Sequence, residues 1–519
     1  MHIKYLKNLI LNIMINFLNS LFKEKYNILF LDQKEKEFIS KRLPITYNKS
    51  GKTLLIQCPE DHFFVSLYSL VIQNEKNNIK NIYGLLTIPL IIKFRHCLFI
   101  IPLIIKIVMY YLRKRKWRKI YQSIGINQFI EPPELKIIPD LNNLYNSLKI
   151  FINLKNKKDI SKINYGNIEC GDLIYDTSLR YNRKKPTVNI RGLNLFFNIY
   201  KCFNYINFFN DFITKTKITK SFITYTVYIY HGVPSRVLVS NNIPVYSSGN
   251  YEQMFKLVNK QHNSMMANFK PYKKEFDHAY GDAESKEGFK KFSNRFKGID
   301  DNGLISSMSI NPYKTKSKTD FNLKLDGVLF LHDFYDSHRI YGNVIFNDFY
   351  EWTIYSLNLI RDFKLNIGIK PHPHQISFES KKTVQKIKNE YSDLKWIDPK
   401  LSNNKIFKSG IKFGISHHGT VISELAYWNI IPISCSENPT SSFGFAYEAK
   451  SIKEYRSLIL NSHNLKLKNK NEVGEFYFMH YLNKKSDYII KNINGIHINK
   501  INRFETKSSD LIKIKALLE

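Results

Sequence analysis

Acidic residues are scarce in this 519-residue chain, where 44 Asp and Glu face 78 Lys and Arg for a formal charge of +34. That balance favours an anionic partner: nucleic acid, a phospholipid surface or phosphorylated substrates. The competing reading is compositional, with Lys, Ile and Asn raised together by an A+T-rich genome. Cysteine is equally sparse. Cys58, Cys97, Cys170, Cys202 and Cys435 are scattered and form no CxxC pair, which excludes a disulfide framework and a structural zinc site and fits a reducing cytosol. No repeat of about 20–50 residues is present, and neither is a recognised nucleic-acid module or an aromatic RNA-binding motif.

Long uncharged apolar runs are also missing. The stretch from Leu85, "LLTIPLIIKFRHCLFIIPLIIKIVMYYLRKRKWRK", is broken by Lys93, Arg95 and Lys106, with kinks expected at Pro89 and Pro102. It falls short of the roughly 18–20 residues that span a bilayer. The basic cluster Arg113–Lys119 around Trp117 suits a monotopic element, with apolar residues in lipid and cations on anionic headgroups. The alternative is a buried helix pair with a solvated basic end. The N-terminal "MHIKYLKNLILNIMINFLNSLFKEKY" is interrupted by Asn12 and Asn16 and lacks a small-residue cleavage site. It reads as an amphipathic helix rather than a signal. These features place the protein in the cytoplasm, peripheral to the inner face of the membrane.

What is present is core material, 43% hydrophobic and 14% aromatic, on a length that exceeds one core and implies two or more domains. Lys52–Gln73 reads as a strand, a turn at Pro59 and a helix, a βα unit. "KPTVNI", "FITYTVYIY", "RVLVS" and "IPVYSS" read as further strands. Residues 264–322 are charged and poor in core, a connection with room for helices of its own. From residue 326 to 436 strands and helices alternate regularly, which implies a parallel, doubly wound sheet. The expected organisation is therefore α/β: an N-terminal segment 1–50, a Rossmann-like domain 51–263 with a membrane-associating insertion at about 85–119, the connection 264–322, a second Rossmann-like domain 323–462, and a basic, partly helical tail 463–519.

In such sheets ligands bind beyond the carboxyl ends of the strands. Three predicted strands of the second half end there in "LHDFYDSH", "KPHPH" and "SHHGT". Ser416, His417, His418, Gly419 and Thr420 mark a strand-to-helix turn, where unpaired N–H groups and the helix dipole favour phosphate. Glu424, one turn in, can accept hydrogen bonds from ribose hydroxyls, or Thr420 and Glu424 can simply cap the helix. Lys370 supplies charge, and His372 supplies a donor able to give up a proton near neutral pH; Pro371 and Pro373 stiffen their backbone. His374 is assigned a supporting role. A zinc site on His372, His374, His417 and His418 lacks a carboxylate partner, so no metal and no cofactor is expected. Asp333, Asp336 and His338 line the cleft floor, and Asn438, Ser441 and Ser442 follow the last recognised strand on the ligand side.

"KPHP", followed by "HGTVISELAYWNIIPISCSENPTSSFG", resembles the donor domain of GT-B glycosyltransferases, and more narrowly the bacterial capsule polysaccharide biosynthesis proteins that include Kdo transferases. A similar His-Pro motif occurs in bacterial sialyltransferases and CDP-glycerol glycerophosphotransferases. The likeness covers about Gly327–Tyr455 well and the first half weakly, through "IECGDLIYDTSLRY" and "YHGVPSRVLVSNNIPVY". It implies two Rossmann-like domains across a cleft and metal-independent sugar transfer. His372 would contact the donor phosphates, Ser416, Gly419 and Thr420 would cradle them, and Glu424 would hold ribose or base. The second histidine in "SHHGT" departs from the common pattern, which leaves His417 and His418 interchangeable. The base that deprotonates the acceptor is expected from the first half, at Asp172 or Asp176, with Glu60 and Asp61 as second choice. Arg180, His231, Ser235 and Arg236 would hold an anionic acceptor; capping by the two aspartates and a surface charge at Arg236 are the plainer readings. The expected partners are a nucleotide-sugar donor, a glycan or glycolipid acceptor and an anionic membrane surface, with no nucleic acid. A CDP-polyol phosphotransferase is the alternative on the same fold, and a basic nucleic-acid-binding protein the alternative of another class.

Overall fold

The alternation of strand-forming and helix-forming stretches is realised in an α/β chain built on parallel sheets. The structure is a computed structural model that describes residues 29–40, 51–88, 100–132, 140–182, 185–248, 254–258, 269–299, 313, 324–373, 377–483 and 488–489. The chain divides into two compact units, residues 1–134 with 490–519 and residues 135–489.

In the first unit come α1 (Gln33–Ser40), β1 (Lys52–Pro59), α2 (His62–Glu75), β2 (Ile79–Thr87), α3 (Ile100–Ser123) and β3 (Gln128–Ile130). The strands β1, β2 and β3 run parallel in that order. The βα unit expected from Lys52 is there, with the chain turning after Pro59. The apolar stretch from Leu85 begins as the buried end of β2; residues 89–99 lie outside the described residues.

The expected lipid-facing Trp117 is a correction. It is buried, with its ring against His62 and Tyr121 at 4.8 and 6.2 Å between centroids. Three of its basic neighbours meet carboxylates: Arg113 meets Glu60, Lys116 meets buried Glu35 at 2.8 Å, and Arg118 meets Glu131 at 3.0 Å. An interfacial-type tryptophan is equally a good core residue when rings and cation stems surround it. Glu60 is therefore occupied by Arg113 rather than poised as a base. No helix among the described residues is long and apolar enough to cross a membrane.

The second unit opens with α4 (Leu141–Asn153), α5 (Lys157–Ser161), a two-stranded β4–β5 pair (Asn164–Tyr165, Ile168–Glu169), α6 (Gly171–Asn182) and α7 (Leu193–Lys215). Then follow β6 (Lys220–Ile223), α8 (Val233–Ser240), β7 (Val245–Ser247) and β8 (Met254–Leu257). Three expected strands differ. "RVLVS" lies in α8, where Val233 through Val239 are all buried. Full burial removes the period that separates helix from strand, and the β-branched residues then mislead. "FITYTVYIY" is a strand only to Ile223; Tyr228, at φ 60°, opens a π-turn over Tyr228–Gly232. "KPTVNI" forms no regular element over its described residues 185–190.

Residues 264–322, expected as a connection, carry α9 (Tyr272–Ala279) and α10 (Asp282–Phe296). The alternating region then unfolds as expected: β9 (Gly327–Phe330), α11 (Phe349–Asp362), β10 (Ile367–Lys370), α12 (Phe378–Glu390), β11 (Lys395–Trp396), α13 (Asn403–Phe407), β12 (Phe413–Ser416), α14 (Val421–Tyr427), β13 (Ile431–Ser434) and β14 (Tyr447–Glu448). After these come α15 (Ile452–Leu460), α16 (Asn471–Tyr477) and β15 (Tyr488–Ile489), which pairs antiparallel with β8.

The six strands β9–β14 are parallel in the order β11-β10-β9-β12-β13-β14. This is a doubly wound, Rossmann-like order, and it reverses between β9 and β12. Period-two alternation sends Leu329, Ile369 and Ile415 to one face, under Trp352, Leu357 and Tyr455. Val328 and Phe330 go to the other, under Ile406 and Leu425. Each such fully buried side chain stabilises the fold by about 1.5–3 kcal/mol. Gly414 lets α14 approach β12, because a Cβ there would lie 2.5 Å from the Leu425 side chain. Along α16 and its end, Val473, Phe476, Tyr477 and Met479 pack into one core with Phe276, Phe292 and Ile422.

Candidate functional site

The register of the sheet brings three motifs side by side. Lys370 and Ser416 both pair with Phe330, at the carboxyl ends of β10, β12 and β9. Two residues beyond each of these positions stands a histidine: His372, His418 and His332. The three converge where the strand order reverses. Ring centroids are 4.6 Å apart for His332 and His418 and 6.4 Å apart for His332 and His372. His417 and His338 complete the nest, at 4.4 Å from one another.

The imidazoles are held by few hydrogen bonds and by packing, which leaves nitrogens without partners among the described residues. His332 Nε2 lies 2.6 Å from the His418 carbonyl, and the ring stacks on Phe349. His338 Nε2 bonds the Phe346 carbonyl at 3.0 Å, and His417 Nδ1 meets Ser436 Oγ at 3.0 Å. Among the described residues, His338 Nδ1, His417 Nε2 and both nitrogens of His418 are buried without a hydrogen-bond partner. Burial favours neutral rings: it lowers the His332 pKa to about 3 and pushes His338, His417 and His418 well below the ordinary histidine value. Among the described residues no group of His, Cys, Asp or Glu is placed to hold a metal ion.

Lys370 is 2% exposed. Burial lowers its pKa to about 8, against the attraction of Glu424 and Asp398. Gly419 supports the turn at φ +105°, and a Cβ there would come within 3.2 Å of the His332 ring. Thr420 makes no capping bond through its side chain. The helix it opens has only seven residues, so its dipole is a smaller resource than the sequence promised, and Lys370 with the unpaired imidazoles is the larger one. Glu424 is already engaged, accepting from Tyr313 Oη at 2.8 Å and Asn403 Nδ2 at 3.3 Å, with Arg295 3.8 Å away. In the following loop Asn438 and Ser441 bond within the turn, while Ser442 Oγ is buried without a partner. His374 lies outside the described residues.

The two aspartates of α6 part company. Asp172 receives both terminal nitrogens of Arg236, at 2.7 and 2.5 Å, and Arg236 also donates to the Glu169 carbonyl. The guanidinium holds the Asp172 pKa down although burial raises it. This is an internal ion pair, so neither residue stands ready for an acceptor. Arg236→Met strands the carboxylate, and we expect it to destabilise the unit by about 3 kcal/mol in denaturant unfolding while leaving nucleotide affinity unchanged.

Asp176 is different. It is 3% exposed, and burial, the dominant influence, raises its pKa to about 7. It faces Arg339, whose N–H and guanidinium approach at 3.4 and 3.5 Å and whose guanidinium covers the Tyr175 ring at 4.1 Å. Arg339 follows His338 directly, so α6 meets the chain at the edge of the histidine nest. Arg180 reaches Asp336 at 4.0 Å on the same side. Asp333 is buried and accepts from the Tyr335 N–H at 2.9 Å. A cavity of about 500 Å³ opens nearby, lined by Lys157, Asn189, Asn347 and Glu351. His231 is set apart, beside Thr224 and Tyr225, with its pKa lowered by burial to about 4. Ser235 is buried.

Sequence reading named neither His332 nor Arg339. His332 occupies the same register position as His372 and His418, a signal that exists only once the strands are aligned.

No family model matches the chain, and no curated protein matches it. Among solved structures it is similar to a UDP-GlcNAc 2-epimerase of Methanocaldococcus jannaschii with UDP-GlcNAc and UDP, at 9% identity over 82% of this chain and 97% of that one, TM-score 0.27. It is likewise similar to a glycosyltransferase of Rickettsia africae, at 8% identity over 91% and 99%, TM-score 0.26, and to a UDP-GlcNAc 2-epimerase of Neisseria meningitidis bound to UDP-GlcNAc, at 9% identity over 82% and 97%, TM-score 0.23.

Proposed function

We propose that the chain is a glycosyltransferase that moves a sugar from a nucleotide-sugar donor to a growing surface polysaccharide or lipid-linked acceptor. One observation carries the reading. At the reversal point of a doubly wound sheet, a buried lysine lies in register with a strand end whose neighbouring imidazoles keep four nitrogens without a hydrogen-bond partner among the described residues. Orphaned buried polar atoms are costly, and a multivalent anion such as a nucleoside diphosphate answers both the charge and the orphans. The arriving anion also raises the imidazole pKa values, so that His417 or His418 can take up a proton and become a charged donor.

In this reading Lys370, His372 and the nest stabilise negative charge as it develops on the leaving phosphate, an electrostatic role that needs no rearrangement at the moment of reaction. Asp176, with its pKa near neutrality, takes the proton of the attacking acceptor hydroxyl. The cavity lined by Lys157 and Glu351 would receive the acceptor.

The test is a thermal-shift panel of CMP, CDP, UDP and GDP with the full chain. At least one nucleotide is expected to raise the melting temperature, and His372→Ala to abolish the shift. If none does, the reading fails. Product analysis with the binding nucleotide's sugar then decides between sugar transfer and a phosphodiester-forming polyol transfer.

A further inference from the structure

At the other end of α14 from Thr420 the chain forms a second cavity, of about 490 Å³. Seven helical residues separate the two ends by about 10 Å, so this is not the phosphate cradle. Its apolar wall is aromatic. Phe289 and Tyr427 stack at 4.6 Å, Phe296 lies 4.7 Å from Tyr427, and Trp428 meets Phe296 edge-on at 5.7 Å. Among the described residues its charges have one sign: Lys297, Lys408 and Lys470 line it, and no described carboxylate does. Lys470 sits 5.3 Å over the Phe289 ring and Lys408 6.0 Å over Trp428.

Among the described residues, two buried polar atoms of side chains that line it have no hydrogen-bond partner. Trp428 Nε1 is a donor without an acceptor, and Asn404 Oδ1 is an acceptor without a donor. The amide nitrogen of Asn404 is already committed to the Phe296 and Tyr313 carbonyls at 2.7 and 3.2 Å, which fixes the orientation of the amide and leaves its oxygen waiting.

We propose that this cavity binds an acidic saccharide. Sugar hydroxyls donate and accept at once, which suits one orphan of each kind. The C–H faces of a pyranose pack on aromatic rings, and the carboxylates of a uronic or ulosonic acid pair with the three lysines. A nucleobase fits less well, because Phe289 and Tyr427 already occupy one another's faces and offer no slot between them. The inference is independent of the transfer reaction proposed above, since none of its residues belongs to the phosphate cradle.

The test titrates the full chain with trigalacturonate in low salt, reading the Trp428 indole N–H resonance, which is assigned by its loss in Trp428→Phe. Trigalacturonate is expected to shift that resonance saturably at one site. The double variant Lys408→Glu/Lys470→Glu, whose changes lie on the rim, is expected to weaken binding about tenfold or more by reversing two charges, and Lys297→Glu is expected to weaken it alone. Neutral maltotriose is expected to bind at least tenfold more weakly. No shift at millimolar trigalacturonate overturns the proposal, as does binding that ignores the lysine variants. Equal or tighter binding of UMP or inorganic phosphate at the same indole overturns the ligand class.

Discussion

Asp176→Asn is expected to lower transfer turnover by about 10³-fold, within the range usual for loss of a general base, while nucleotide affinity stays within about twofold. The amide keeps the shape of the side chain and its approach to Arg339 but cannot take a proton. Wild-type turnover should rise with pH up to about 7, where the carboxyl ionises, and then level; the variant's residual rate should be flat there. Stability changes in the opposite sense. Because the folded pKa lies above the ordinary value of 3.8, the unfolded carboxyl ionises first, and between about pH 4 and 7 the unfolded state binds fewer protons. Stability contributed by this group is therefore present at low pH and is lost as pH rises to 7, by on the order of 4 kcal/mol. The variant should lack that loss and be the more stable protein at pH 8. Turnover retained in Asp176→Asn, or a collapse of nucleotide binding, would make Asp176 a positioning residue for Arg339 instead.

The second half of the chain was legible because its strands are short, apolar on both faces and separated by amphipathic helices, so element type and parallel order followed from pattern alone. The motif-bearing strand ends were legible for the same reason. A strand that stops on Lys370 or Ser416 puts whatever follows on the ligand side. What the pattern hid was pairing. Asp172 and Asp176 sit one helical turn apart and look equivalent in sequence, yet one meets Arg236 and the other a backbone N–H and a distant guanidinium. Only the chain's path decides which carboxyl is neutralised by charge and which by burial. Trp117 misled for a related reason. Its basic neighbours announce a surface, but Glu35, Glu60 and Glu131 come from elsewhere in the sequence to meet them. The short α14 and the burial of Glu424 under Tyr313 likewise depend on contacts far apart in the chain.

Lys370→Met should separate binding from stability most sharply. A buried lysine whose pKa has fallen to about 8 from 10.5 is held in the fold at a cost. As pH drops from about 10.5 to 8 the unfolded state takes up the proton before the folded state does, so stability declines over that window and stays reduced below it. The shift corresponds to on the order of 3 kcal/mol at neutral pH. Methionine fills nearly the same volume without charge, so the variant should resist denaturant better than the parent, by up to that amount. The same ammonium, meeting a phosphate in a water-poor site, forms a charge-assisted hydrogen bond of about 1.5–3 kcal/mol. Its removal should therefore weaken nucleoside diphosphate binding by roughly 10- to 100-fold, measured calorimetrically at pH 7. Wild-type affinity should itself decline above about pH 8, as the free lysine loses its proton. A lysine kept for structure would show the reverse pattern: its loss would lower stability by stranding Glu424 and leave nucleotide affinity untouched. Gain in stability together with loss of affinity is the signature of a residue retained for its ligand.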